Sequence, residues 1–278
     1  MASVKQALQW ALEEINESDS GQLDAELLLG EIIGKSRAWI YTWPESALGE
    51  HEHQLFQQLV MRRKSGEPVA HLIGKQEFWS LELKVTGDTL IPRPETETLV
   101  EQALKLIPTD KSWRVADLGT GTGAIAIAIA SERPDCTIIA TDQSRAALSV
   151  AEENSSNHQL NNIEYRDGSW FLPLEKEKFN IILSNPPYIA MEDPHLEQGD
   201  LRYEPNSALA SGKEGMDDIR YLINHAANFL HKDGILMIEH GYDQGEKARE
   251  LLQQQSFSSV TTTHDISGHE RVSYGFLT

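Results

Sequence analysis

The sequence predicts an α/β protein: a mostly parallel sheet of about seven strands, covered by helices on both faces, preceded by a small helical bundle. Three observations lead to this prediction. Up to about residue 70 the chain carries only helical patterns, and from residue 96 apolar segments alternate between helix and strand character. Such alternation favours parallel strands joined by crossover helices. At 278 residues and 40% hydrophobic content, the chain can bury one large core and one small one.

The first part of the chain predicts a helical bundle followed by a β-hairpin. Apolar residues between Val4 and Ile15 repeat at helical spacing, and residues 24–33 predict a helix that ends at Gly34. The same spacing runs from Leu55 to a Ser-Gly-Glu-Pro stop, and short alternation over residues 78–85 predicts the hairpin. We therefore predict a helical domain at residues 1–72, a hairpin linker at 73–90 and a larger domain at 91–278.

In the larger domain the sequence pattern predicts helices that alternate with strands along the chain. Its helices are predicted at residues 99–107, 124–131, 145–154, 217–230 and 244–254. Its strands are predicted at residues 114–118, 137–141, 163–166, 179–184, 235–239, 260–265 and 271–277.

A glycine-rich loop joins the first of these strands to its helix. It reads Asp117-Leu118-Gly119-Thr120-Gly121-Thr122-Gly123, and its alternating glycines allow a tight turn and close approach of a ligand to the backbone. Together with Ala124 it also satisfies the relaxed Gly-x-Gly-x-x-Ala dinucleotide pattern, so a nicotinamide enzyme is an open alternative. The loop predicts a nucleotide cofactor without choosing between these chemistries.

Asp142 and Trp170, at the ends of the second and third strands of the larger domain, are candidates for the rest of a nucleoside site. Asp142 ends the second strand, 19 residues after Gly123, where a carboxylate can accept both hydroxyls of a ribose. It could equally cap the following helix. Trp170 follows the third strand and offers a flat apolar surface for adenine, although packing into the core is the alternative.

The tetrapeptide Asn185-Pro186-Pro187-Tyr188 follows the fourth strand. Proline lacks a backbone N–H and fixes an extended conformation, so this loop is stiff and presents free acceptors. The side-chain amide oxygen of Asn185 and such carbonyls can accept hydrogen bonds from the N–H groups of a planar nitrogen. An ordinary turn is the alternative, since Asn before Pro favours turn geometry.

Composition argues against several classes of protein, namely nucleic-acid-binding, disulfide-linked, metal-binding and membrane-spanning proteins. A net charge of −19, from 43 acidic and 24 basic residues, argues against extended nucleic-acid contact. The only basic cluster, residues 61–64, ends a predicted helix, where cations complement the dipole. One cysteine, Cys136, allows no intramolecular disulfide, and the ten histidines form no metal-ligand pattern. No stretch reaches membrane-spanning length, so we expect a cytoplasmic, metal-free protein without membrane contact.

Together, the glycine loop, Asp142 and the Asn-Pro-Pro-Tyr loop resemble class I S-adenosylmethionine-dependent methyltransferases that act on planar nitrogens. Residues 63–71, Glu77-Phe78-Trp79, Ile91-Pro92-Arg93-Pro94-Glu95-Thr96-Glu97, Arg202-Tyr203-Glu204-Pro205 and residues 212–217 narrow the resemblance to the bacterial release factor glutamine methyltransferases, the PrmC/HemK family. The chain departs modestly from that pattern at Ser80 and His71. The resemblance covers nearly the whole chain and implies a seven-stranded Rossmann-like methyltransferase fold.

The resemblance also implies the ligands and the residues that contact them. The cofactor is S-adenosylmethionine, the product is S-adenosylhomocysteine, and the partner is the Gly-Gly-Gln loop of class I peptide chain release factors, methylated on the glutamine N5 by a monomer. The implied cofactor-binding residues are Asp117, Gly119, Thr120, Gly121, Thr122, Gly123, Asp142, Trp170 and Asn185. The implied substrate-binding residues are Asn185, Pro186, Pro187 and Tyr188, with Asn185, Pro186 and Tyr188 catalytic.

The residues support a simple mechanism and leave two rivals open. The Asn185 side-chain oxygen and the Pro186 carbonyl can each accept one amide N–H, which orients the nitrogen for attack while Tyr188 packs over the amide plane. Glu95 and Glu97 either offset a helix dipole or line the site, and Arg93 could serve either role. The rivals are a nucleic-acid amino-methyltransferase acting on adenine or guanine, and a non-catalytic nucleotide-binding module.

Overall fold

The computed structural model describes residues 2–16, 18 and 20–278. It confirms the predicted α/β fold, with a helical N-terminal region, a two-stranded hairpin and a seven-stranded sheet. The chain folds as two compact units, divided in sequence between Lys75 and Gln76. Within the described residues, no helix combines the length and the apolar character needed to cross a membrane.

The first unit is a helical bundle with its own core. Its helices are α1 (Val4–Glu14), α2 (Gly21–Ile33), α3 (Arg37–Thr42), α4 (Glu50–Lys64) and α5 (Val69–Ile73). Fully buried Leu28, Leu29 and Phe56 form the centre of this core. The short helices α3 and α5 are absent from the sequence prediction, because five or six residues are too few to show a helical period.

The elements of the second unit follow the predicted order. Its helices are α6 (Glu97–Leu106), α7 (Ala124–Glu132), α8 (Arg145–Asn157), α9 (Asn206–Leu209), α10 (Asp217–Ala226) and α11 (Gly245–Gln254). Its strands are β1 (Lys75–Phe78), β2 (Leu81–Lys84), β3 (Arg114–Leu118), β4 (Thr137–Asp142), β5 (Ile163–Asp167), β6 (Phe179–Ser184), β7 (Leu230–Glu239), β8 (Phe257–His264) and β9 (Glu270–Leu277). Pro94–Thr96 forms a short 3₁₀ turn just before α6.

The largest difference from the predicted boundaries lies between α10 and β7. The helix predicted over residues 217–230 ends at Ala226, and Leu230 already belongs to β7, where it pairs with Phe179 of β6. The register between β6 and β7 then shifts before Ile235, and Asp233 adopts a positive φ of 62°. This irregular strand interrupts the apolar pattern with His231, Lys232 and Asp233, so the sequence shows only its second half.

The large sheet has the strand order β5-β4-β3-β6-β7-β9-β8, parallel except for β9, which is antiparallel to both neighbours. Chain order reverses between β3 and β6, so the carboxyl ends of these two strands border a crevice, the usual ligand position in open α/β sheets. Along β6, Ile181 and Leu183 belong to the core on one face and Ile182 to the core on the other. The middle of the strand, residues 181–183, is therefore apolar on both faces, as two-sided burial requires.

The hairpin β1–β2 packs within the second unit. Phe78 and Leu83 are buried in the core that also contains α6 and α7. The Lys84 backbone N–H donates to Asn154 Oδ1 on α8 at 2.7 Å, and Asn154 Nδ2 donates back to the Lys84 carbonyl at 3.0 Å. Asn154 Nδ2 also donates to the Thr122 carbonyl at 2.9 Å, so this one side chain links the hairpin to the glycine-rich loop.

Candidate functional site

The predicted site residues gather at one edge of the sheet. In the register, Leu118 of β3 is level with Thr141 of β4 and with Ser184 of β6, and Ser184 is level with Ile238 of β7. The residues that follow these positions are therefore neighbours although they are far apart in sequence. A cleft of about 250 Å³ opens there, and its walls include Gly119, Thr120, Gly121, Thr122, Asp142, Trp170, Asn185 and Pro187.

The glycine-rich loop wraps the carboxyl end of β3. Gly119, Gly121 and Gly123 all adopt positive φ, at 75°, 56° and 83°. A Cβ atom at Gly119 would lie 3.0 Å from Trp170 Cζ3, and one at Gly123 would lie 3.0 Å from Ile127 Cδ1. The first and third glycines are therefore required for space as well as for conformation, and the loop exposes bare backbone to the cleft.

Asp117 lies behind this loop, not on the cleft wall. Its side chain is fully buried, and Oδ2 accepts a hydrogen bond from Thr120 Oγ1 at 2.6 Å. Oδ1 is buried without a hydrogen-bond partner among the described residues. Burial raises the pKa of this carboxyl to about 7, although the bond from Thr120 opposes the rise. An unpartnered buried acceptor beside a ligand-sized cleft is typical of a binding site.

Asp142 lines the cleft and also ties the glycine-rich loop to the start of α8; its contact with a ribose stays a prediction. Its two carboxylate oxygens accept backbone N–H groups of Gly121 and Ser144, each at 2.9 Å, so it ties the glycine loop to the start of α8. The capping side chain of α8 is that of Ser144, which accepts from the Ala147 N–H. Asp142 also lines the cleft, and each oxygen keeps a lone pair for a ligand hydroxyl. Its pKa is raised, chiefly by burial.

Trp170 lies against the glycine loop and lines the cleft. Its backbone adopts a positive φ of 50°, and its carbonyl accepts a hydrogen bond from Thr141 Oγ1 at 3.1 Å. This strained conformation turns the indole towards Gly119, where it forms one flat wall. The partly buried ring also packs against the core, as the second alternative for this residue predicts, and contact with adenine stays a prediction.

The Asn-Pro-Pro-Tyr loop separates the cleft from a smaller cavity of about 60 Å³. Asn185 borders both spaces, Pro187 borders the cleft, and Pro186 and Tyr188 border the smaller cavity but not the cleft. The Asn185 side chain donates through Nδ2 to Thr96 Oγ1 at 3.1 Å. Gln244 Nε2 donates to the Tyr188 carbonyl at 2.9 Å and fixes the far end of the loop.

Three buried polar residues at this edge are missing from the sequence prediction. Glu239 ends β7 and is fully buried, with Oε1 3.5 Å from Tyr188 Oη. Thr96 is 4% exposed and lines the cleft. Glu204 is buried and accepts the Ile91 N–H at 2.9 Å while it pairs with Arg93. The sequence could have indicated Glu239, because this residue ends β7, the neighbour of β6, and Asn185 directly follows β6.

Arg93, Glu95 and Glu97, the ionisable residues on either side of Thr96, lie in different places. Glu97 accepts the Trp79 backbone N–H at 2.8 Å, so it anchors α6 to the hairpin and does not line the cleft. Arg93 lines the cleft while paired to Glu204. Glu95 borders a third, open depression together with Arg93, Tyr188 and Arg271. Of residues 91–97, Pro92, Arg93 and Thr96 line the cleft.

Comparison with known proteins adds family information to this geometry. Residues 6–74 match the family model described as the PrmC N-terminal domain, and residues 96–199 match the one described as the methyltransferase small domain. The chain is 45% identical to the release factor glutamine methyltransferase of Salmonella typhimurium, over 96% of each chain. It is 46% identical to that of Escherichia coli, again over 96% of each, and 49% identical to that of Xylella fastidiosa, over 91% of this chain and 92% of the relative.

Solved structures share the fold at low identity. The catalytic domain of hMettl16, in complex with an RNA hairpin, aligns with a TM-score of 0.56 at 14% identity, covering 81% of each chain. The Thermus thermophilus 16S rRNA N2 G1207 methyltransferase, in complex with AdoMet and guanosine, aligns with a TM-score of 0.52 at 16% identity, covering 73% of this chain and 50% of that one. These likenesses support the α/β architecture.

Proposed function

Because this chain belongs to the release factor glutamine methyltransferase family, we propose that its edge site transfers the methyl group of S-adenosylmethionine to the side-chain amide N5 of a glutamine. The proposed substrate is the Gly-Gly-Gln loop of class I peptide chain release factors. The single observation that carries the proposal is the position of Asn185, which lies on the wall common to the cleft and the smaller cavity. A donor in one space and an acceptor in the other would meet there.

We assign S-adenosylmethionine to the cleft. When bound, this cofactor supplies an electrophilic methyl group on a sulfonium centre and leaves as S-adenosylhomocysteine. Asp142 lines the cleft, and each of its carboxylate oxygens keeps a lone pair for a ribose hydroxyl, whereas Asp117 lies behind the glycine loop and supports it from there. We assign the ribose to Asp142, the adenine to the flat wall at Trp170, and the remaining contacts to residues 119–122, because Gly123 packs against Ile127 and does not line the cleft.

The smaller cavity fits a side-chain amide. Its volume of about 60 Å³ is roughly a quarter of the cleft, and a carboxamide fills far less space than a purine. Pro186 and Tyr188 border it together with Asn185. In this assignment Asn185 Oδ1 and the Pro186 carbonyl accept the two amide N–H groups, and Tyr188 packs over the amide plane.

Positioning then supplies much of the rate. An amide nitrogen is a weak nucleophile because its lone pair is conjugated with the carbonyl, so it must be held in line with the methyl group. As the N–C bond forms and the S–C bond breaks, positive charge develops on nitrogen, and the two acceptors stabilise it. One N–H proton leaves to solvent once the new bond has made it acidic, which restores a neutral N-methyl amide.

The rival substrate class is a nucleobase with an exocyclic amino group. The one basic cluster of the chain does not offer a free cationic surface, because Arg62, Arg63 and Lys64 pair with Glu67, Asp24 and Glu14 within the first unit. Arg63 and Asp24 are both largely buried. With a net charge of −19, the chain offers little attraction for a phosphate backbone. These observations favour a protein substrate.

We further propose that the helical unit, predicted at residues 1–72, recognises the body of the release factor while residues 91–278 perform the transfer. The match of residues 6–74 to a dedicated family model supports a role specific to this family.

A transfer assay tests the proposed function. The full chain is incubated with methyl-labelled S-adenosylmethionine and, separately, with a purified class I release factor, the same factor carrying Gln→Ala in its Gly-Gly-Gln loop, and total RNA. We expect label only in the unaltered factor. Label in RNA, or equal label in the altered factor, would replace the proposed substrate.

A further inference from the structure

We infer that Gln244 is a positioning residue: its side-chain carboxamide fixes the end of the Asn-Pro-Pro-Tyr loop and so sets the place of the acceptors that hold the substrate amide. The inference rests on the proposed function, because it concerns how the substrate of that reaction is oriented. Gln244 lies just before α11, is 8% exposed and borders neither the cleft, the smaller cavity nor the open depression. Any effect of this residue on methyl transfer therefore acts through the loop.

The Gln244 carboxamide makes hydrogen bonds through both of its ends. Its Nε2 donates to the Tyr188 carbonyl at 2.9 Å and to the Gly215 carbonyl at 3.3 Å. Its Oε1 accepts the Gly241 backbone N–H at 2.9 Å. Only a carboxamide combines two N–H donors and an acceptor on one planar group, so neither a carboxylate nor a thioether of similar length replaces it. These three partners also fix which end of the carboxamide faces Tyr188.

The segment of residues 212–217 packs against the same hydrogen bond. Gly215 adopts a positive φ of 69°, and a Cβ atom there would overlap the Tyr188 carbonyl oxygen and lie 2.9 Å from Gln244 Nε2. The lack of a side chain thus lets this segment lie directly on the carbonyl. Among the described residues, Gln244 is the only hydrogen-bond donor to the Tyr188 carbonyl. A glycine and a glutamine that are distant in sequence therefore build one site for the end of the loop.

The start of the Asn-Pro-Pro-Tyr loop is also held by a hydrogen bond. Ser184, the last residue of β6, is fully buried and donates through Oγ to the Leu118 carbonyl at 2.7 Å. Between the two held ends, Pro186 and Pro187 have a fixed φ, and the residue before each proline is kept extended. A loop this stiff transmits a displacement of its end to the Pro186 carbonyl. The position of Tyr188 therefore sets the position of that acceptor.

The residue after the loop reports whether the loop end is held. The Ile189 N–H donates to the Leu209 carbonyl at 2.9 Å, and the Ile189 carbonyl accepts the Ser211 N–H at 2.8 Å, which gives a short parallel bridge. Because Ile189 directly follows Tyr188, loss of the Gln244 hydrogen bonds should let this bridge open more often. The amide of Ile189 should then exchange with solvent faster.

The test compares variants of the full chain in the release factor assay and in hydrogen–deuterium exchange. Gln244→Met keeps the length of the side chain and removes all three hydrogen bonds. Gln244→Glu keeps the acceptor for Gly241 but, as a carboxylate, donates to neither carbonyl, and it carries the test if Gln244→Met does not fold. Gln102→Met is the matched control, because Gln102 Nε2 donates to Tyr274 Oη at 3.1 Å and the residue borders none of the three spaces.

Three quantities are measured for each protein: kcat, the affinity for S-adenosylhomocysteine, and the exchange of peptides that cover residues 185–192. We expect kcat of both Gln244 variants to fall on the order of tenfold or more, because a displacement of about 1 Å can cost roughly 100-fold in rate. Cofactor affinity should be unchanged, and residues 185–192 should exchange faster than in wild type. Gln102→Met should match wild type in all three.

A wild-type kcat in the Gln244 variants would overturn the positioning role. A loss of kcat without faster exchange of residues 185–192, or with an equally large loss of cofactor affinity, would also overturn it. If wild type itself transfers no methyl group to the release factor, the proposed function fails instead, and the exchange comparison alone decides whether Gln244 holds the loop.

Discussion

The buried carboxyl of Glu239 should make the stability of the second unit depend on pH in a way that one substitution removes. Glu239 is fully buried at the end of β7, and burial raises its pKa from 4.5 to about 7. Glu239→Gln keeps the size of the side chain and one acceptor oxygen but cannot titrate. We expect the variant to be more stable than wild type at pH 8, and to lose this advantage towards pH 5.

The direction and size of the effect follow from the two pKa values. The folded state holds the proton up to about pH 7, whereas the unfolded chain releases it near pH 4.5. Wild type therefore binds fewer protons unfolded than folded in this window, and its free energy of unfolding falls as pH rises. The folded and unfolded pKa values of Glu239 differ by about 2.5. At roughly 1.4 kcal/mol per pKa unit, this difference lowers the free energy of unfolding of wild type by ~3 kcal/mol once the pH has risen above both values. Asp117 titrates in the same direction, but it is present in both proteins and cancels in the comparison.

Hydrogen–deuterium exchange of peptides that cover residues 230–239 measures this effect locally. Both proteins are compared at the same pH, so intrinsic exchange rates cancel and the ratio reports the opening free energy of β7. The variant should gain protection relative to wild type as pH rises from 5 to 8. A difference between the two proteins that is the same at both pH values, or that shrinks as pH rises, would refute the reasoning.

Two further predictions concern the cofactor cleft. Asp142→Ala should weaken S-adenosylhomocysteine binding on the order of 10- to 100-fold, since hydrogen bonds to a charged group contribute about 1.5–3 kcal/mol; calorimetry that finds unchanged affinity would remove Asp142 from the site. Gly119→Ala should weaken the same binding and lower Tm more than Gly121→Ala, because both strain a positive φ but only the first places a methyl group 3.0 Å from Trp170. Equal effects of the two alanines would contradict the contact with Trp170.

Much of the fold could be predicted because the apolar pattern of each segment agrees with the way that segment packs in the folded chain. Strands β3, β4 and β6 are buried on both faces and read as short apolar runs, and each is followed by a turn with a recognisable sequence. The glycine loop and the Asn-Pro-Pro-Tyr loop come directly after two of these strands. Because the carboxyl ends of parallel strands share one edge, the sequence alone places both loops together.

The rest depends on contacts between residues that are distant in sequence. Thr96 and Asn185 are 89 residues apart, and Ile91 and Glu204 are 113 apart, so no local spacing indicates either hydrogen bond. The start of β7 at Leu230 is hidden by a charged, irregular segment that pairs only after a register shift. Local patterns thus predict the loops of the site, whereas the hydrogen bonds that orient their side chains emerge only from the folded chain.

The most direct test of the account is to locate the transferred methyl group and to ask whether Asn185 is needed to place it. A purified class I release factor is incubated with S-adenosylmethionine and either the wild-type chain or Asn185→Ala, then digested and mapped by peptide mass spectrometry, while calorimetry follows S-adenosylhomocysteine binding. The account predicts one methyl group on the Gly-Gly-Gln glutamine with wild type, and loss of most transfer but retained cofactor binding in the variant. A methyl group on any other residue, or a variant that transfers at the wild-type rate, would contradict it.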